Sequence, residues 1–539
     1  MTIIFLLSIL SCAIATTPTV NLRGTVLYGS DNVPGQEFFG GIPYVEPPVG
    51  NLRFRLPVLK TSLGLETFNA TEYSPACLQV PLVEVKVVSE DCLTVNVIRP
   101  TKIATRELLP VLVWVHGGGF DFNASGLVTQ SVSRGTPIVF ASFNYRLGPL
   151  GFAPGQEAAD AGILNLGLRD AMMAFRWIQD NIAIFGGDPT KVTAYGLSAG
   201  SITLAELFLN PEMEKFTRGM IFSSGPPSAP PMWNASHRQV DWDNFVRAVP
   251  QCQSTLDNAT SLDCLRTVNS SALLDAINVA TGKADEQFPW VPTIDGPGGI
   301  IPESPSQLLQ AGNFAHIPFI AGAAIDEGTG FVPPFTNSTE MIKDSLFSNF
   351  SASEATSPAL EAAVDQILAL YPDIPALGCP YNTGNETFGL DSQFKRFAAI
   401  VGDIFWIGQR RALNQIASEK GVRSFGYVFD DLPAPNVFPP FLGVFHAVDV
   451  NYTFGALASL NGSAAAVHLG KQMVDYWLSF ATSLDPNDEH GSKRPLWPHY
   501  TTENQVIMQF NSTNLTVIPD DFRAEQISFI NSNSVVFRH

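Results

Sequence analysis

The chain has 539 residues, of which 45% are hydrophobic and only 15% charged, with 31 Lys and Arg against 50 Asp and Glu for a net charge of −19. An acidic chain without a basic run lacks the clustered cations that nucleic acid or an anionic membrane surface demands. Aromatic residues at 11% and apolar runs along the whole length exclude low-complexity disorder.

Residues 1–15 read as a signal peptide. An apolar stretch over 3–10 precedes the small-x-small site Ala13-Ile14-Ala15, although no Lys or Arg stands before it. Twelve Asn-x-Ser/Thr sequons agree with export: Asn69, Asn123, Asn234, Asn258, Asn269, Asn337, Asn349, Asn385, Asn451, Asn461, Asn511 and Asn514. Cys12 leaves with the leader. Of the other five cysteines, the close pairs Cys77/Cys92 and Cys252/Cys264 suggest two local disulfides. Four cysteines allow three connectivities, so this pairing rests on proximity alone. Cys379 is left over and reads as a buried, inert thiol, because no nearby motif would activate it. No C-x-x-C and no His/Cys cluster has zinc spacing, so neither metal nor cofactor is expected. No later stretch reaches ~18 consecutive apolar residues, and the C-terminal Val-Val-Phe-Arg-His carries no retention or anchor signal. A secreted, extracellular protein without a transmembrane segment is the expectation.

With no internal repeat and no linker, residues 16–539 read as one large domain with insertions. Apolar runs at 110–115, 137–141 and 192–195 predict strands of a parallel sheet buried on both faces. Leu168, Ala171, Met172, Phe175, Ile178 and Ile182 recur at helical spacing and predict a helix over 168–182. A second helix should follow Ser198 and stop near Asn210-Pro211. Strands alternating with helices imply an α/β fold.

Between the third strand and the second helix lies Gly196-Leu197-Ser198-Ala199-Gly200. A G-x-S-x-G at a strand-turn-helix junction is a nucleophile elbow, with glycines where a Cβ would clash. A serine hydroxyl needs a base to take its proton and donors for the developing oxyanion. His116-Gly117-Gly118-Gly119, directly after the strand ending at Val115, is the oxyanion run of lipases and esterases. The base and its orienting acid must follow in the order Ser, acid, His. Seven histidines follow Ser198: His237, His316, His446, His468, His490, His499 and His539. Spacing does not choose among them.

The landmarks Phe38-Phe-Gly-Gly-Ile-Pro-Tyr44, Pro47-Pro-Val-Gly-Asn-Leu-Arg-Phe54, Ser89-Glu-Asp-Cys-Leu-Thr-Val-Asn96, Asn144-Tyr-Arg-Leu-Gly148 and Phe185-Gly-Gly-Asp-Pro189 do choose. With them the chain resembles the type-B carboxylesterase/lipase family of cholinesterases and fungal secreted esterases and lipases. The resemblance runs from about Leu22 and thins after about Gln472. It implies an α/β-hydrolase fold, a large, mostly parallel central sheet flanked by helices, in a single domain with insertions. It implies hydrolysis of small-molecule carboxylic esters without a cofactor. Carried over by motif, Ser198 is the nucleophile, Glu327 of Ile325-Asp-Glu-Gly-Thr329 the acid, with Asp326 its competitor, and His446 of Gly443-Val-Phe-His-Ala447 the base. Gly118, Gly119 and Ala199 would form the oxyanion hole, and Ser224 matches a supporting serine behind the triad. Arg53 with Glu90 and Arg146 with Asp170 should be structural ion pairs.

Two departures bear on substrate choice. Most family members carry Glu before the nucleophile, where this chain has Leu197, which weakens any cholinesterase-like reading and makes the pocket more apolar. The Cys77–Cys92 loop holds only fourteen residues, with strand-like alternation over 83–88, and leaves little room for the long lid of the fungal lipases. A short lid favours short-chain or aryl esters, hydroxycinnamoyl esters among them, over the long-chain acyl esters of a lipase or sterol esterase. The phenylalanines at 331–335 and 438–442 would suit aromatic or fatty acyl groups if they line the gorge, but read first as ordinary core. A catalytically dead adhesion protein on the same fold would lack the nucleophile or base, and here all three positions are filled.

Overall fold

The computed structural model describes residues 17–79, 87–101, 107–118, 123–350, 357–432, 437–458 and 460–539. The expected signal peptide and most of the 83–88 alternation lie outside the described residues.

Runs rich in β-branched and aromatic residues become strands wherever both faces can be covered. Among the described residues, ten such strands form the main sheet. They are β1 (Gln36–Pro43), β2 (Thr94–Pro100), β3 (Leu109–Val115), β4 (Val139–Phe143), β5 (Gly187–Leu197), β6 (Gly219–Ser223), β7 (Phe319–Ala324), β8 (Ser424–Phe429), β9 (Val506–Phe510) and β10 (Thr516–Pro519). Their spatial order is β10-β9-β8-β7-β6-β5-β3-β4-β2-β1. Every pair from β4 to β9 is parallel, while β1, β2 and β10 join antiparallel at the two edges. This is the mostly parallel α/β-hydrolase sheet that the resemblance implied.

Strand β3 shows how the sheet is covered. Successive side chains point to opposite faces. Val111, Val113 and Val115 join a core with Leu168, Phe175 and Ile178 of helix α1 (Leu166–Asn181) and Leu204 and Phe208 of helix α2 (Ala199–Phe208). Leu112 and Trp114 join the opposite core with Met473, Trp477 and Phe480 of helix α3 (Ala464–Ser483). Element boundaries differ from the sequence reading where proline intervenes. Strand β4 starts at Val139, because Pro137 has no N–H for the ladder, and runs on to Phe143 beside Val115. Strand β5 starts earlier, at Gly187, with an irregular register up to Val192 that accommodates Pro189.

Both expected ion pairs form and are buried. The Arg53 guanidinium lies 2.6 Å from each Glu90 oxygen and also donates to the Leu265 and Val268 carbonyls. Arg146 grips Asp170 at 2.7 Å through Nε and Nη2, and its backbone N–H donates to the same carboxylate. Removing one partner strands the other charge in the core. Asp170→Ala is therefore expected to cost about 3–5 kcal/mol of stability in urea unfolding.

Cys77 is bonded to Cys92 and Cys252 to Cys264, and Cys379 is free and buried. Among the described residues no helix is long and apolar enough to cross a membrane.

Glu206 of α2 is fully buried with no charged partner among the described residues, and burial pushes its carboxyl up to about 8. Its neutral form is the favoured folded form. Below the ordinary glutamate range the burial carries no ionisation cost, and stability falls as pH rises toward about 8. Glu206→Gln is expected to remove that decline, raising Tm relative to the parent at pH 8 and leaving it unchanged at pH 4 in thermal melts.

Candidate active site

Strand β5 ends at Leu197 and α2 begins at Ala199, so Ser198 alone makes the turn. Its φ of 54° and ψ of −129° lie where L-residues are strained, as a nucleophile elbow requires. The flanking glycines are obligatory by space. A Cβ on Gly196 would fall 2.6 Å from the Gly200 carbonyl oxygen, and one on Gly200 would fall 2.1 Å from the Val115 carbonyl oxygen. The turn can therefore press against β3 and its following loop only with glycine on both sides.

That loop carries His116-Gly117-Gly118. A Cβ on Gly117 would lie 2.5 Å from the Leu197 oxygen, so the loop passes directly over the turn. Around Gly118, by contrast, no described residue would come within 4 Å of an added Cβ. His116 anchors the loop: its ring stacks on Tyr145 at 4.7 Å, and the Tyr145 hydroxyl donates to the His116 carbonyl at 2.8 Å. Burial lowers the His116 pKa and keeps the ring neutral. The Ala199 N–H opens α2 and has no acceptor within the helix. Gly119 lies outside the described residues.

The structure brings Ser198, His446 and Glu327 together. His446 Nε2 lies 2.8 Å from Ser198 Oγ, and His446 Nδ1 is hydrogen-bonded to Glu327 Oε2. Glu327 is fully buried, and its other oxygen accepts the Ala324 N–H at 2.8 Å. The three residues stand beyond the C-terminal ends of β5, β8 and β7, where parallel sheets present their loops. Asp326, the competing acid, does not meet the imidazole. Its carboxylate is spent on the Tyr381 and Val444 N–H groups and the Cys379 thiol.

Ser224 is buried with φ 50°, and its hydroxyl has no hydrogen-bond partner among the described residues. The neighbouring Ser223 hydroxyl lies 2.7 Å from both Asp449 Oδ2 and the Tyr427 hydroxyl. Asp449 follows His446 by three residues and ties the base's loop to the ends of β6 and β8. Burial raises its pKa, and the nearby Glu327 charge adds to the rise. Leu197 is buried in the core shared with Trp114 and Ala447. None of Ser223, Tyr427 or Asp449 stood out in the sequence, and only the interval from His446 to Asp449 offered a local hint.

Beside the triad lies a cavity of about 790 Å³. Its wall includes Ile202, one turn after Ser198, and the aromatic rings of Phe288, Phe331, Phe397 and Trp406. Phe331 and Trp406 stack at 4.4 Å and both face His446, at 4.9 and 5.3 Å. Trp406 sits on a π-helical turn, Asp403–Ile407, a feature frequent at functional sites. Phe331 of the 331–335 cluster is thus cavity wall, while Phe335 is 71% exposed. Phe441 of the 438–442 cluster packs edge-on against the buried Phe394.

A strained serine between a parallel strand and a helix, touching a histidine that touches a buried glutamate, defines a serine hydrolase of the α/β-hydrolase fold. The chain belongs to the carboxylesterase family, whose profile matches residues 11–530. It is a serine carboxylic ester hydrolase. It is 30% identical to Lipase 2 of Geotrichum candidum over 96% of both chains. It is 33% identical to Secreted lipase 1 of Botryotinia fuckeliana over 96% of this chain and 93% of that one. The crystal structure of Aspergillus niger EstA superimposes with a TM-score of 0.83 at 25% identity, covering 97% of this chain and 99% of that one.

Proposed function

We propose that this chain is a secreted carboxylesterase in which Ser198 is the nucleophile, His446 the general base and acid, and Glu327 the orienting acid. The unbroken contact from Ser198 Oγ through the imidazole to a buried carboxylate carries this reading. His446 takes the Ser198 proton as the hydroxyl attacks the ester carbonyl. Glu327 fixes the tautomer that leaves Nε2 free to accept, and it stabilises the imidazolium. The Gly118, Gly119 and Ala199 N–H groups receive the oxyanion. The alcohol leaves with the proton from His446, and water returns along the same path to free the acid.

Short-chain or aryl esters are the proposed substrates. Phe331 and Trp406 line the cavity beside the imidazole, and flat apolar walls favour flat apolar groups such as an aryl ring. Relatives named as secreted lipases support export, together with the sequons. The same relatives, and a cavity of about 790 Å³, favour a second reading as a lipase for long acyl chains.

Purified enzyme assayed on p-nitrophenyl esters from acetate to palmitate, with methyl ferulate and emulsified triolein alongside, separates the two. Highest kcat/KM on short or aryl esters supports the carboxylesterase. A palmitate optimum with strong triolein hydrolysis overturns it in favour of the lipase. Phe331→Ala is expected to move the optimum toward longer acyl chains by enlarging the cavity.

A further inference from the structure

The loops carrying Glu327 and His446 come from segments more than a hundred residues apart, yet their side chains must meet within hydrogen-bond distance. We propose that Asp326 is the positioning residue that locks these two loops in register, with Cys379 as an auxiliary donor holding its carboxylate. The inference rests on the triad reading above.

Asp326 is 2% exposed, and its two oxygens serve different segments. Oδ2 accepts the Val444 N–H at 2.8 Å, two residues before His446. Oδ1 accepts the Tyr381 N–H at 2.8 Å and faces the Cys379 thiol at 3.2 Å. The backbone repeats the link: Asp326 N–H donates to the Val444 carbonyl at 3.1 Å, and Asp326 bridges to Phe445 as a single parallel β-pair. Thr329 closes the other side, its hydroxyl lying 2.9 Å from the Asp326 carbonyl and 2.7 Å from that of Leu442. The acid's loop thus holds the base's loop from both flanks.

Gly443 shows that the carboxylate is built in. Its φ is +59°, and a Cβ there would fall 2.4 Å from Asp326 Oδ2 and 2.6 Å from the Pro380 ring. Only glycine lets the carboxylate, the 379–381 segment and the base's loop converge. The arrangement also accounts for Cys379, whose thiol burial and the nearby carboxylate push strongly toward the protonated, donating form.

The test compares full-length wild type with Asp326→Asn, Cys379→Ala, Cys379→Ser and Ser198→Ala. The asparagine amide can accept from one loop only by turning its NH2 against the other. Asp326→Asn is expected to lower kcat about 10²-fold, as a misplacement of about 1 Å does, with KM nearly unchanged. The downfield proton resonance of the His446 Nδ1–H shared with Glu327 should shift or vanish. Cys379→Ala should move the same resonance less, and Cys379→Ser, which restores a donor, should return it toward wild type.

Wild-type kcat and resonance in Asp326→Asn overturn the proposal. So does a lowered kcat with an unmoved resonance. Should Asp326→Asn fail to fold, an unmoved resonance in Cys379→Ala overturns it as well. Ser198→Ala separates the two readings. Activity retained there removes the triad mechanism, while the resonance still reports whether Asp326 sets the imidazole–carboxylate contact.

Discussion

Ser198→Ala is expected to lower kcat by about 10⁶-fold while leaving the fold intact, because the exchange for a methyl removes only the hydroxyl that meets His446. His446→Ala should cost about as much, and the double variant little more. A base without a nucleophile and a nucleophile without a base are equally idle. Glu327→Gln should lose less, about 10⁴-fold, since the imidazole remains but its tautomer is no longer dictated. Pre-steady-state kinetics with a p-nitrophenyl ester in excess checks all four. The burst of released nitrophenol should vanish in Ser198→Ala. Additive losses across the series would show that the three residues do not act as one unit.

Gly200→Ala is the second large effect. The added Cβ would stand 2.1 Å from the Val115 carbonyl oxygen and 2.6 Å from His116 backbone atoms. Neither neighbour is a flexible side chain, so β3 and the start of α2 must part. Overpacking of this kind costs about 1–3 kcal/mol, and more where backbone has to yield. Activity should fall further than stability. The shift displaces the loop through Gly118 relative to Ser198, and about 1 Å of misplacement costs about 10²-fold. Thermal melts and kcat measured together should show a modestly lower Tm with a much lower kcat. Parent-like activity would mean the turn and loop can separate without consequence.

The contrast between these two sites and Asp326 tells what a linear reading reaches. The elbow was legible because its demands are local: strand, glycine, serine, glycine and helix follow one another, and each glycine answers a clash with a neighbouring segment. The sheet was legible because strands buried on both faces are written as continuous apolar runs. Glu327 and His446 were different. Nothing in the spacing marks one histidine of seven, and resemblance alone selected it. Asp326 was noticed only as the wrong acid, because its partners Val444 and Tyr381 lie 118 and 55 residues away. Ser223 was not singled out, although its hydroxyl belongs to the buried network with Asp449 and Tyr427. Its partners lie 204 and 226 residues away, so the contact is invisible without the sheet.

The order of strands in the sheet also governs how the protein can be made. Strand β6 ends at Ser223, and its parallel neighbour β7 begins only at Phe319. Strand β8 ends at Phe429 and waits for β9, which begins at Val506. During synthesis at about 5–20 residues per second, each finished edge stands unpaired for several seconds. Those edges are apolar, the kind that pair with a neighbouring chain. The Ser198 turn exists in the nascent polypeptide long before His446 has been translated. A ribosome-bound chain should therefore stay unreactive toward active-site phosphonates until residues well past His446 have left the exit tunnel. Chains stopped between β8 and β9 should collect in the insoluble fraction.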